Sequence, residues 1–233
     1  MTRFLKVLLV AGVLILALSA QASIIGTGDI STFTDTVDWC ANYGCANTPY
    51  SMPSPTAWTS NSGLTGEVGM NGTGDPFYVV QQGSSWFGNL PNGMGMIYNG
   101  NALGNTPAGI AATSDSGVYG MGAYIQTDYD GPFTAEIDLY DGSFNFLGSY
   151  TEIGNADQGP DLSIFIGAYD DNPDVYAAVF TAWGTGPNEP DFAIGNLDLR
   201  LVPEPGSFLL MGSALAGLAG VIRRKAQKKE EVV

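Results

Sequence analysis

The side chains equipped for chemistry between residues 23 and 205 are nearly all carboxylates. Twenty-one aspartates and glutamates stand there against one basic residue, Arg200, for a formal charge of −20, and that stretch holds neither lysine nor histidine. A Ser-His-Asp or Cys-His arrangement needs an imidazole to move the nucleophile's proton, and none exists. Schiff-base chemistry and a phosphate-cradling G-x-x-x-x-G-K-[ST] loop both need a lysine. Paired carboxylates remain: one acid protonates a glycosidic oxygen while a second attacks the sugar or activates water. A small secreted glycan-active enzyme using such a pair is therefore the catalytic alternative. A larger chain with more aromatic subsites is expected of that class, so the reading is that the protein is not an enzyme.

Two acidic runs invite a cation. Asp128-Tyr129-Asp130-Gly131 begins like an EF-hand loop, but Pro132 and Leu139 occupy the fifth and twelfth positions, where acidic ligands belong. Asp170-Asp171-Asn172-Pro173-Asp174 either gathers oxygens around Ca²⁺ or forms a solvated turn of the residues that turns favour. The sequence fixes no metal ligand set; the cofactor expectation is none, with Ca²⁺ the one candidate. Cys40 and Cys45 are the only cysteines. Structural zinc wants four ligands and a redox pair is spaced C-x-x-C. A disulfide closing a small loop is expected, with two free thiols the alternative. Trp58 and Trp86 either stack on sugar rings or plug the interior. Nucleic acid is excluded as a partner, because a phosphate backbone needs a basic footprint. Direct attraction to an anionic membrane surface is excluded on the same ground.

Whatever site these residues make, β-structure has to position it. The chain carries 32 glycines and 13 prolines, and its apolar stretches are short and separated by turn residues. That pattern predicts an all-β domain, a β-sandwich or jelly roll over residues 23–201. Phe133, Ala135, Ile137 and Leu139 alternate with Thr134, Glu136, Asp138 and Tyr140, so 133–140 is a strand with one wet face. Residues 144–153 read as its hairpin partner and 162–168 as a buried strand. Further strands are expected at 77–82, 94–98, 117–128, 174–183 and 191–201, the last with a bulge at Gly195-Asn196. Residues 41–63 read as irregular, and no helical periodicity appears between 23 and 205.

The two ends are of another kind. Arg3 and Lys6, the apolar run Val7 to Leu18 and the small-x-small site Ala20-Gln21-Ala22 predict a signal peptide over 1–22. Residues 206–222 hold no charge and are just long enough for a transmembrane helix. Basic residues follow at 223–233, which places that tail in the cytoplasm and the acidic domain outside. Small residues Gly212, Ala216 and Gly220 share one helix face, a spacing that lets another helix approach.

Val202-Pro203-Glu204-Pro205, the apolar helix and then Arg223-Arg224-Lys225 resemble, in that order, the PEP-CTERM sorting signal of Gram-negative, exopolysaccharide-producing bacteria. The resemblance covers residues 202–233 and implies handling by an exosortase, a membrane-embedded transpeptidase that cuts near the triplet. It also implies a chain anchored by its C-terminal helix before processing and then passed to the outer envelope or extracellular matrix. The hydrophilic tail after Lys225 is longer than the family's usual one. The same motif closes some ice-binding proteins, so it implies a route and not an activity. An ice-binding face would want regularly spaced threonines, and no such repeat is visible. Residues 118–201 look like the C-terminal half of many PEP-CTERM ectodomains, which implies a jelly-roll sandwich similar to carbohydrate-binding modules and carries over no functional residue. The expected function is that of an exported, non-catalytic envelope or matrix protein associated with exopolysaccharide.

Overall fold

Alternation along one strand sets the plan of the domain. In β10 (Gly131–Tyr140), Phe133, Ala135, Ile137 and Leu139 are buried, while the residues between them are partly exposed. The computed structural model describes residues 24–201 apart from 47, 73, 84–89, 101–107, 129, 157–162 and 185–190. The chain separates into two units, Met1–Leu201 and Val202–Val233; all described residues belong to the first. The expected signal peptide at 1–22, the helix at 206–222 and the sorting residues Val202 to Pro205 and Arg223 to Lys225 lie outside the described residues. Among the described residues no helix is long and apolar enough to cross a membrane.

The domain is a β-sandwich of two antiparallel sheets. One sheet holds β10 with β11 (Phe146–Ala156), β13 (Val175–Gly184), β8 (Ile110–Val118), β5 (Thr65–Met70) and β4 (Thr56–Thr59), in the order β11-β10-β13-β8-β5-β4. The other holds β1 (Ile25–Thr27), β12 (Ile164–Tyr169), β9 (Gly120–Thr127), β14 (Phe192–Arg200), β7 (Gly95–Tyr98), β6 (Phe77–Gln81) and β3 (Tyr50–Met52), in that order. A further strand, β2 (Asp35–Val37), also pairs with β14. Between the sheets, Ile137, Leu139 and Phe180 belong to one core with Met121, Ile125, Ile166, Leu197 and Leu199. Each such side chain contributes roughly 1.5–3 kcal/mol relative to exposure, more than a typical net hydrogen bond at about 1 kcal/mol. The buried face therefore fixes the register, since a one-residue slip would turn the apolar set to water.

The strands read from sequence in the C-terminal half are present, and β10 and β11 form the expected hairpin. The reading of 117–128 as one strand is corrected: β8 ends at Val118, the chain turns at Tyr119, and β9 begins at Gly120. Residues 41–63 are also more ordered than expected, since they contain β3 and β4. A short helix, α1 (Trp39–Tyr43), departs from the expectation of none. Five residues are too few to show a 3.6-residue period, so its signal lies in its ends. The Asp38 carboxylate accepts the N–H groups of Cys40 and Ala41 at 2.8 and 3.3 Å, an N-cap. Gly44 closes the helix at φ +77°, a conformation glycine adopts without penalty.

The expected bulge explains where that helix docks. The β14–β9 register shifts between Ile194 and Leu197, across Gly195-Asn196. On one side of the shift β14 pairs with β7, and on the other with β2. The fully buried Trp39 fills the junction, its Nε1 donating to the Gly195 carbonyl at 2.7 Å. Its backbone N–H donates to Asn196 Oδ1 at 3.4 Å. Directly after it stands Cys40, whose Cα lies 4.7 Å from that of Cys45, a separation a disulfide spans.

Trp39→Ala is expected to cost about 3–5 kcal/mol in denaturant unfolding, since it opens a cavity and strands the Gly195 carbonyl; a loss under about 1 kcal/mol would contradict this packing. For the cysteine pair, the intact mass of the oxidised protein is expected about 2 Da below that of the reduced form; identical masses would mean two free thiols.

Candidate functional site

Strand register builds a row of mostly part-exposed groups on the outer face of the six-stranded sheet. Thr134 on β10 stands between Ile153 on β11 and Trp183 on β13. One step along, Glu136 stands between Thr151 and Thr181, and then Asp138 between Ser149 and Val179. Trp183 is 38% exposed and Ile153 77%, although side chains of this kind are normally placed inward. With Pro132, Phe133, Thr134 and Gly184 they line an open cleft of about 350 Å³. The result is an aromatic and aliphatic floor with hydroxyls and carboxylates beside it.

The carboxylates on this face are crowded. Glu136 and Asp138 share one side of β10, close enough for each to shift the other's carboxyl. Burial raises the Glu136 carboxyl above its ordinary value, and the Asp138 charge and hydrogen bond add to this. Burial also raises Asp138, against the lowering effect of hydrogen bonds from Glu136 and Tyr140. Threonines on the face are interrupted by Glu67, Glu136 and Asp138, so they make no regular array.

Of the tryptophans singled out from sequence, Trp58 is core and 1% exposed. It pairs across β4–β5 with Gly66, where any Cβ would run into its ring. Trp86 lies outside the described residues. Trp183 was missed because residues 177–183 mix apolar inward and outward positions, leaving no alternation to mark the outward ones. The signal was present in the neighbouring strand, where Thr134 and Glu136 identify the wet face.

The acidic runs end up at separate places. Asp128 lies close to Asp191; burial raises its carboxyl, and the Asp191 charge raises it further. Asp191 is itself raised by burial, and its Oδ2 accepts the Tyr98 hydroxyl at 3.2 Å. Asp170 is buried, Asp171 is exposed and Asp174 is partly buried in the connection from β12 to β13. The Asp170 Oδ1 accepts the Asn172 N–H at 2.8 Å, as in an Asx turn. Among the described residues no three acids, cysteines or histidines converge to hold a metal.

Asp198 is buried where β14 meets β2. Burial pushes its carboxyl up to about 6, the charge of Asp35 adding to this and a hydrogen bond from Thr36 opposing it. The Thr36 hydroxyl donates to Asp198 Oδ1 at 2.7 Å.

Residues 201–225 match the PEP-CTERM protein-sorting motif. Among curated proteins no match to the sequence is found. Solved structures with similar strand arrangements include a DUF4465 family protein from Bacteroides caccae, at 11% identity and a TM-score of 0.43, over 71% of this chain and 98% of that one. CsCBM6-3 from Clostridium stercorarium, in complex with cellobiose, is 12% identical with a TM-score of 0.31, over 73% and 95% of the two chains. The CBM22-1–GH10 modules of xylanase 10B from Clostridium thermocellum, in complex with xylohexaose, give 10% and 0.29 over 72% and 28%. None of these similarities transfers a residue or an activity to this chain.

The folded state keeps the Asp198 proton to about pH 6, whereas an unfolded aspartate releases it near 4. Stability from this group is therefore full at about pH 4 and falls as pH rises through 6. Asp198→Asn keeps the acceptor for Thr36 and removes the charge. It is expected to stabilise the protein by up to about 3 kcal/mol at pH 8 and by little at pH 4. Thermal melts of both chains across that range check this, and an equal effect at both ends would contradict it.

Proposed function

We propose that the protein is a non-catalytic component of the cell envelope or extracellular matrix that holds a neutral polysaccharide against Trp183. The PEP-CTERM motif at residues 201–225 marks an exported chain that is presented to an exosortase. The observation that carries the ligand reading is Trp183, exposed on a sheet face directly across from Thr134, with Glu136 one step further along β10. A sugar ring has a flat C–H side that stacks on an indole and a rim of hydroxyls that hydrogen-bond. Thr134, Thr181 and Glu136 are placed to meet that rim. A formal charge of −20 between residues 23 and 205 repels a uronate- or phosphate-bearing chain, so the ligand is uncharged. The non-catalytic reading is supported by the side chains between residues 23 and 205, which include no histidine to move a nucleophile's proton and no lysine to form a Schiff base.

Three chains tagged at Ser23, expressed in a host with an exosortase and a neutral exopolysaccharide, test the reading. The wild-type tag is expected in the matrix fraction. Replacing Pro203, Glu204 and Pro205 with alanine should hold the tag in the membrane. Trp183→Ala should pass the exosortase but appear in the medium, with at least tenfold weaker retention on the polysaccharide in an affinity gel. Equal retention of Trp183→Ala would overturn the ligand site, and release of shortened glycans by the wild type would overturn the non-catalytic reading.

A further inference from the structure

We propose that the end of the sandwich where β12 crosses to β13 binds one Ca²⁺ ion, held by Asp170 Oδ2 and Asp174 Oδ1 with Asp141 adding negative charge beside them. These residues come from strand ends in both sheets. Asp170 follows β12 of the eight-stranded sheet, Asp174 precedes β13 of the six-stranded sheet, and Asp141 follows β10 beside it. Inward alternation along β12, Ile166 then Ala168, places Asp170 on the core side.

Two oxygens call for a partner. Asp170 is 2% exposed, and its Oδ2 is fully buried with no hydrogen-bond donor. Its Oδ1 is already used, accepting from the backbone and side-chain nitrogens of Asn172 at 2.8 and 3.1 Å. Asp174 Oδ1 is likewise buried without a donor. A buried carboxylate oxygen left unpaired costs several kcal/mol, and a protein normally repays this with a cation or hydrogen bonds. Arg200 does not supply the cation. Its guanidinium stacks 3.7 Å from the centre of the Tyr169 ring, and its Nε and Nη1 make no hydrogen bond.

The electrostatics agree with that geometry. Burial raises the Asp174 carboxyl, and the charges of Asp170 and Asp141 raise it further. Asp141 is held below its ordinary value by hydrogen bonds from the Asn145 side chain and backbone, so it stays ionised and contributes its full charge. The backbone is fixed as well: the Asp170 N–H donates to the Tyr119 carbonyl at 2.7 Å. A donor set of hard oxygens with no nitrogen or sulfur suits Ca²⁺, and Mg²⁺ sheds its water too reluctantly to compete. Two side-chain carboxylates leave water and carbonyl oxygens to complete the six to eight ligands, so affinity should fall in the roughly 10⁻⁴–10⁻³ M range of extracellular sites. An ion there joins both sheets at one end of the core.

The test uses the full chain in detergent, with Ca²⁺ itself and Tb³⁺ as probes. Tyr176, which faces Gly142 beside Asp141, can sensitise Tb³⁺ emission. At tenfold the dissociation constant Ca²⁺ should raise the Tm by about 3–5 °C over EDTA, and it should displace the Tb³⁺ signal. Asp174→Asn, at a partly exposed position, should weaken Ca²⁺ at least tenfold while melting at or above the wild type in EDTA. Asp170→Asn should do the same, and Asp130→Asn, on an exposed acid at the opposite end of β10 from Asp141, should leave both responses intact. No Ca²⁺ response in the wild type would overturn the proposal. So would an equal response to Mg²⁺, which indicates screening, or a wild-type response in Asp174→Asn, which places the ion elsewhere.

Discussion

The carboxylates of this domain must be accommodated almost without cations, and much of the structure follows from that constraint. Where backbone N–H groups are free, they take the role. Asp38 caps α1, Asp29 accepts the Ser31 N–H at 2.8 Å, and Asp141 holds the β10–β11 turn through Ser143 and Asn145. Hydroxyls serve elsewhere: Ser62 donates to Asp35 at 2.5 Å, Thr65 to Asp115 at 2.6 Å and Thr36 to Asp198. Each such hydrogen bond gives a carboxylate oxygen a donor that folding would otherwise leave it without. Elsewhere desolvation wins, and the carboxyls of Asp128, Asp191, Glu136, Asp138, Asp174 and Asp198 are raised above their ordinary values.

That crowding shapes both surfaces to which a role is given above. On the outer face of the six-stranded sheet, Glu136 and Asp138 follow Thr134, which pairs with the exposed Trp183. At the β12–β13 crossing, Asp170 Oδ2 and Asp174 Oδ1 are buried without a hydrogen-bond donor. Here the only arginine of the domain is spent on the ring of Tyr169, at the last strand before the sorting motif.

The fold was legible where one strand face is wet and the other dry. Residues 133–140 alternate cleanly, so the strand, its hairpin and the inward set were all readable. Gly195-Asn196 was readable as a bulge because glycine and asparagine broke an apolar run, but its purpose was not. Nothing local shows that Trp39, over 150 positions earlier in the chain, needs the Gly195 carbonyl. The N-terminal half was read poorly for the same reason: β1 and β2 are three residues long and exist through partners at 167–169 and 197–199. Asp170 to Asp174 could be singled out by composition. Only the structure places Asp141 beside them, and only burial shows which oxygens lack a donor.

Proton linkage tests the central claim, that these carboxylates are held without counter-charges, most directly. Calorimetric unfolding at pH 5 in Ca²⁺-free buffers of different ionisation enthalpy counts the protons exchanged. Among the described carboxyls, raised groups outnumber lowered ones, with Asp128, Glu136, Asp138, Asp174, Asp191 and Asp198 raised and Asp29 and Asp141 lowered. The folded state therefore holds extra protons, and unfolding is predicted to release them, with stability falling as pH rises. Net uptake of protons on unfolding, the usual behaviour of well-paired carboxylates, would contradict it.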